Sequence, residues 1–177
     1  MNQSEVLHII ESNNLVEKTV TLYRNSFLKT AGSIDTNIYW VEEGSLRIFV
    51  LDKSEERIIR FGYKDNLIVS LDSFITESPS DFYIQALKKT KVKVISKKTF
   101  IDFMNANPDF RKIWIKILED LILQQIEREK DLLVSSAKER YERVLKRSPR
   151  LFQEIPKKHI ANYLRMIPET LSRLKKS

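Results

Sequence analysis

Ile155-Pro156-Lys157-Lys158-His159-Ile160-Ala161-Asn162-Tyr163-Leu164-Arg165-Met166-Ile167-Pro168-Glu169-Thr170-Leu171-Ser172-Arg173-Leu174-Lys175-Lys176 is the stretch on which the reading of this chain turns. Two prolines stand twelve residues apart, at 156 and 168. Each suits the first turn of a helix, where a missing N–H leaves nothing unsatisfied. Between them the sequence predicts one short helix and a three-residue turn. Ile160, Leu164, Leu171 and Leu174 would form a small shared core, and Ala161 is small where two helices must approach closely. This is the spacing of a helix-turn-helix.

With Leu171 and Leu174 facing inward, Glu169, Thr170, Arg173 and Lys176 face outward on the second helix. Those residue types suit a DNA major groove. Arginine can bond guanine O6 and N7, and glutamate can accept from cytosine N4. Lys157 and Lys158 on the first helix are placed for backbone phosphates. Arg165 stands in the turn where glycine is usual. Glycine takes a positive φ freely, and another residue there costs about 1 kcal/mol. The pattern alone also fits a basic helical hairpin with no DNA role.

Charge follows the same division. Residues 135–177 hold twelve Lys/Arg against four Asp/Glu, whereas residues 1–134 hold nineteen against twenty. The positive excess therefore sits in the last quarter, as expected of a phosphate-backbone binder, although a solvated basic tail has the same composition.

Upstream, Ser135-Ser136 can start a helix through Lys146, which Ser148-Pro149 breaks. Before it, Asn107 can cap a helix, Pro108 fits its first turn and Asp109 favours the positive dipole end. The run 108–134 has no further Gly or Pro. Its apolar residues form two rows: Phe110, Trp114, Ile117 and Leu121, and Ile115, Leu118, Ile122 and Ile126. A helix with two apolar faces needs two partners. One would be a barrel and the other the same helix of a second subunit. The reading places the dimer interface on Phe110, Trp114, Ile117 and Leu121.

From about residue 18 to 97 the pattern is one of short strands. Leu46, Ile48 and Val50 alternate with Arg47 and Phe49, Phe82, Ile84 and Ala86 with Tyr83, Gln85 and Leu87, and Val92 and Val94 with Lys91 and Lys93. Period two implies half-buried strands. Turn signals such as Glu43-Gly44-Ser45, Lys64-Asp65-Asn66 and Ser78-Pro79-Ser80 separate them, so an antiparallel barrel or sandwich is expected. A short amphipathic helix behind Ser4, over roughly 4–12, precedes the strands. The fold class is thus α+β: a β-barrel sensor domain with an N-terminal helix over 1–107, a dimerisation helix over 108–134 and a helix-turn-helix domain over 135–177.

The chain has no cysteine, which excludes disulfides, cysteine-ligated zinc and thiol chemistry. No run approaches a transmembrane length, and the N-terminus lacks the pattern of a signal peptide, so a cytoplasmic protein is expected. His8 and His159 match no haem or metal spacing, and no cofactor or metal site is expected. A metal-dependent enzyme of the small-barrel kind would need clustered His and carboxylate ligands, and no histidine lies in the barrel segment.

The order barrel, long helix, helix-turn-helix resembles the cyclic-AMP receptor/fumarate-nitrate regulator (Crp/Fnr) family of bacterial transcription factors. The resemblance covers nearly the whole chain. Ile38-Tyr39-Trp40-Val41-Glu42-Glu43-Gly44-Ser45-Leu46-Arg47 is similar to the family's strand-glycine-strand hairpin, and Phe61 to Phe74 to its later strands and the start of its ligand cradle. Val92-Lys93-Val94-Ile95 resembles the strand leading into the helices, and Pro168-Glu169-Thr170-Leu171-Ser172-Arg173 the recognition-helix signature. The resemblance implies a jelly-roll sensor domain like a cyclic-nucleotide-binding domain, a homodimer, a near-palindromic double-stranded DNA site and RNA polymerase as a further partner. It matches Glu169 and Arg173 to the base-reading acid and arginine. Pro168 stands where some members carry another base-reading arginine, and the sequence lacks the β-wing that many members have after this helix.

Cyclic-nucleotide binders of the family grip the ribose with a Gly-Glu pair and the phosphate with an Arg-Ser pair. By the resemblance those places fall at Val69-Ser70 and about Ser80-Asp81, and neither pair is present. Residues 65–87 hold Asp65, Asp72, Glu77 and Asp81 with no Lys or Arg, and such a cradle repels a phosphate. Ser70, Ser80 and Asp81 are the candidate pocket residues. The expected function is sequence-specific transcription regulation with a sensor that does not bind cyclic AMP. The alternative is a ligand-sensing or protein-interaction module with a vestigial DNA-binding part.

Overall fold

The computed structural model describes residues 3–175. Helix α1 (Gln3–Ser12) precedes eight strands among these residues: β1 (Lys18–Leu22), β2 (Phe27–Lys29), β3 (Ile38–Glu43), β4 (Ser45–Asp52), β5 (Glu55–Tyr63), β6 (Leu67–Val69), β7 (Tyr83–Ala86) and β8 (Thr90–Ile95). Helix α2 (Leu71–Thr76) lies between β6 and β7. After β8 come α3 (Lys97–Ala106), α4 (Pro108–Leu133), α5 (Ala137–Arg147), α6 (Pro149–Glu154), α7 (Lys157–Tyr163) and α8 (Pro168–Leu174). The chain forms two compact units, residues 1–111 and 112–177, so the first turn of α4 belongs to one and its remainder to the other.

The strands form two antiparallel four-stranded sheets, ordered β1-β8-β3-β6 and β2-β7-β4-β5. The expected α+β class and antiparallel roll are what the chain adopts. Tyr39, Val41, Val92 and Val94 of one sheet meet Leu46, Ile48, Ile84 and Ala86 of the other in one core. Gly44 is where the chain leaves one sheet for the other. Its φ is +91°, and a Cβ there would lie 2.4 Å from Thr90 Oγ1 and 2.5 Å from the Lys89 carbonyl. Only glycine fits so close an approach.

The strands are less half-exposed than their alternation implies. Arg47 and Phe49 point away from the core, yet both are buried. Arg47 lies flat over Phe49, which stacks on Tyr83, while its guanidinium bonds Gln85 and Glu56. On the other sheet Trp40 is covered by Lys93, whose ammonium reaches Glu11 of α1. Long polar side chains close over the outer faces, which a binary pattern does not reveal.

One helix, α2, lies within the region expected to hold only strands, and a second, α3, follows that region before the long helix. Helix α3 starts at Ser96, whose hydroxyl accepts from the Thr99 N–H, and Glu17 in turn accepts from Ser96 and Thr99. Phe100 is fully buried and meets Phe74 and Phe110 edge-on. Helix α2 is only six residues long and ends at Glu77 in the left-handed region, whose N–H returns to Ser73. At six residues α2 is too short to show a helical period in sequence, whereas α3 carries Phe100, Phe103 and Met104 at helical spacing.

Candidate nucleic-acid interface

The C-terminal unit has its own core. Tyr141 and Val144 of α5, Leu151 of α6, Ile155, Ile160 and Ala161 around α7, Leu164, and Leu171 of α8 are all buried. Tyr141 meets Phe152 edge-on at 5.4 Å. Ser136 starts α5 by accepting from the Glu139 N–H, as Ser135-Ser136 implied.

Helices α7 and α8 form the expected pair, joined by residues 164–167, one residue more than the spacing indicated. Pro168 occupies the first turn of α8. At the end of α7 the Arg165 N–H bonds the Asn162 carbonyl at 3.0 Å, and the Met166 N–H bonds the Ala161 carbonyl at 3.0 Å. This is the Schellman arrangement, which asks for a left-handed residue and usually uses glycine. Arg165 supplies it at φ 54°. The usual glycine is absent, and the turn forms nonetheless.

Glu169 and Arg173 are exposed on α8, Thr170 is half-buried beside them, and Leu171 turns into the core. Leu174 is only half-buried. Lys157, Lys158 and Arg165 are exposed. Lys176 lies outside the described residues. The face carries cations and one carboxylate, chemistry suited to phosphates and base edges.

Two further arginines, not singled out in sequence, reach this turn from behind. Arg128 of α4 donates to the Tyr163 carbonyl and lies 3.6 Å from the centre of its ring. Arg140 of α5 donates to the carbonyls of Leu164 at 2.6 Å, Arg165 at 3.4 Å and Val134. Both guanidiniums are buried, and burial pulls that of Arg128 below its ordinary range. Their only sequence signal is that Arg128 and Asp131 continue the row Trp114–Ile117–Leu121 as charged residues on an apolar face.

The two rows of α4 are covered unequally within one chain. Phe110 and Trp114 are already buried within one chain, Phe110 against Phe100 and Phe103. Ile117 and Leu121 are half-buried. In the other row Ile115, Ile122 and Ile126 are open, at 49%, 60% and 42% exposure, and Leu123, Leu132 and Leu133 of the same helix are exposed as well.

In the N-terminal unit the Ser70 and Ser80 hydroxyls lie 3.2 Å apart, and Ser70 donates to Asp72 at 3.0 Å. Asp81 is exposed. The cradle does contain a cation after all. Lys29, from β2, is buried and donates to the carbonyls of Thr30, Ser80 and Phe82 at 3.1, 3.2 and 3.0 Å. Burial lowers its pKa, opposed by the charges of Asp72, Asp35 and Asp81. The segment reading missed Lys29 because the fold brings it in from fifty residues upstream.

An antiparallel roll followed by a long helix and a helix-turn-helix is the architecture of Crp/Fnr regulators. The chain belongs to the cyclic nucleotide-binding domain family, whose model matches residues 19–107. No curated protein matches it by sequence. Among solved structures it is similar to CooA of Carboxydothermus hydrogenoformans, in a doubly substituted form, with 17% identity and TM-score 0.75 over 99% of this chain and 83% of that one. It is also similar to FixK2 of Bradyrhizobium japonicum, with 16% identity and TM-score 0.72 over 90% and 82%. The c-di-GMP responsive global regulator CLP of Xanthomonas campestris gives 13% identity and TM-score 0.69 over 96% and 90%. CLP is described as a global regulator that links cell-cell signaling to virulence gene expression. No helix among the described residues is long and apolar enough to cross a membrane.

Proposed function

We propose that this protein is a homodimeric, sequence-specific DNA-binding transcription regulator whose sensor roll does not take up cyclic AMP. The observation that carries the reading is the paired α7–α8 geometry, with Glu169 and Arg173 outward and Leu171 inward. The net positive charge of residues 135–177 supports it. In this reading residues 1–107 sense, 108–134 pair two subunits and 135–177 bind DNA. The exposed row Ile115, Ile122 and Ile126 makes the pairing seam, since three open isoleucines along one helix face favour burial against a second copy.

The sensor argument rests on Lys29. Its three ammonium protons are all engaged by backbone carbonyls, so it offers nothing to a phosphate. Asp72 and Asp81 nearby add repulsion. The deciding experiment enriches bound fragments of random duplex DNA over several rounds. A recurring near-palindrome supports the reading. Enrichment of no motif favours the rival, a sensing or interaction module with a vestigial DNA-binding part.

A further inference from the structure

The end of α7 leaves carbonyls that no helical N–H can reach. The Schellman bonds satisfy those of Ala161 and Asn162. The next three, on Tyr163, Leu164 and Arg165, are each met by a buried guanidinium. Arg140 also holds the carbonyl of Val134, in the joint between α4 and α5. One side chain thereby ties that joint to the turn before α8. Helices α4 and α5 are locked to each other as well. Asp131, fully buried, accepts from Arg143 at 3.1 Å and from Arg147, and Glu127 accepts from Arg143 at 3.3 Å.

We infer that Arg128 and Arg140 are positioning residues for DNA reading: they hold the turn in register with α4 and the α4–α5 joint, and so fix the direction in which α8 presents Glu169 and Arg173. The inference rests on the proposed DNA-reading role of α8. Its physical basis is local. A left-handed non-glycine residue is unfavourable, and Arg165 occupies that conformation in a turn whose carbonyls would otherwise be orphaned. Charge-assisted bonds to three successive carbonyls stabilise the conformation that glycine would adopt unaided. They also make the orientation of α8 follow α4. Glycine would relieve the strain, but it would not link the turn to the joint. Arg128 keeps one buried donor, Nη1, without a partner. The guanidinium is therefore held there by its contacts to Tyr163 despite an unmet cost.

The test is hydrogen exchange on the full chain, read by mass spectrometry, with DNA titrations alongside. The variants are Arg140→Gln, Arg128→Gln, the double variant Arg140→Gln/Arg165→Gly, and Val144→Ala as a packing control. Arg140→Gln and Arg128→Gln should speed exchange across 163–171 about tenfold, with far less change in 137–147. Each should weaken binding to the enriched site more than binding to scrambled DNA. Val144→Ala should speed exchange evenly across the unit, since it removes core packing without touching the turn. Arg165→Gly should restore much of the lost protection in the Arg140→Gln background, because glycine needs no help at positive φ. An Arg140→Gln profile that matches Val144→Ala, no local acceleration, or no rescue by glycine overturns the inference. If wild-type protein does not distinguish the enriched site from scrambled DNA, the DNA reading of α8 falls. The exchange data still decide whether the arginines hold the turn.

Discussion

Glu169 and Arg173 differ from Lys157 and Lys158 in what their loss should change. Arg173→Ala should cost about 1–3 kcal/mol at one base pair per half-site and relax preference there. Glu169→Ala should relax a neighbouring position with little change in salt dependence, because an acid displaces no counterions. Lys157→Ala or Lys158→Ala should weaken all sequences alike and flatten the salt slope. Titrations against a site library at two salt concentrations separate these outcomes, and identical behaviour of Arg173→Ala and Lys157→Ala would remove α8 from the groove. In the N-terminal unit, Lys29→Met removes three charge-assisted bonds, to the carbonyls of Thr30, Ser80 and Phe82, while relieving a buried charge. The first effect should win, with a loss of about 2–4 kcal/mol in denaturant unfolding. Asp72 adds a pH signature. Burial pushes its carboxyl up, but bonds from Ser80, the Ser73 N–H and Ser70, with the charge of Lys29, outweigh this and leave it below its ordinary value. A carboxylate depressed in the folded state contributes stability above its unfolded pKa and loses it as pH falls through the folded one. Asp72→Asn should therefore melt lower than wild type near neutrality, and the two curves should converge once pH falls below the depressed value.

At the scale of elements, what could be read from sequence depended on length. The long run 108–134 and the proline-spaced pair 156–168 announced themselves, and both stand where the spacing put them. The six-residue α2 did not, since so short a run also fits a strand, and α3 was hidden despite the helical spacing of Phe100, Phe103 and Met104. The two rows of α4 were legible as rows but not as faces. Sequence shows that Trp114 and Ile122 are apolar, and only packing shows which one the chain itself covers. Arg47 was hidden for a related reason: its burial depends on Glu56 and Gln85, partners on two other strands. Lys29, Arg128 and Arg140 share that property, each acting on backbone distant in sequence. The rows separate cleanly in experiment. Ile122→Glu should leave the fold intact and yield monomers by sedimentation, with weakened DNA binding, because Ile122 is 60% exposed in one chain. Trp114→Glu should instead destabilise the chain itself, since it buries a charge without a partner. A dimeric Ile122→Glu protein would remove this row from the seam.

Across the whole molecule, charge and fold divide the work. Residues 135–177 carry a strong positive excess and residues 1–134 are nearly balanced. Attraction to DNA should therefore come from the C-terminal region alone, and the sensor should bias binding without contributing to its salt dependence. The nature of the effector is a property of the roll, whose family match does not require a cyclic nucleotide. In the proposed reading the places of the ribose and phosphate pairs fall at Val69-Ser70 and about Ser80-Asp81, and Lys29 bonds three carbonyls. Calorimetry with cyclic AMP, cyclic GMP and c-di-GMP tests this directly, the last because CLP is responsive to it. None should bind at micromolar concentration, and binding by any of them would overturn the assignment of a phosphate-repelling cradle. DNA geometry is the complementary test. Two copies paired along α4 about a two-fold axis present two α8 helices related by that axis. Their target must then be a near-palindrome with half-sites about one helical turn apart. Inserting half a turn of DNA between the half-sites puts the second one on the opposite face of the duplex, so affinity should fall to that of a single half-site. Inserting a full turn keeps the face but lengthens the span, and a rigid dimer should recover little. If both spacer lengths bind as well as the enriched site, the recognition helices are not held by one dimer, and each C-terminal unit reads DNA alone.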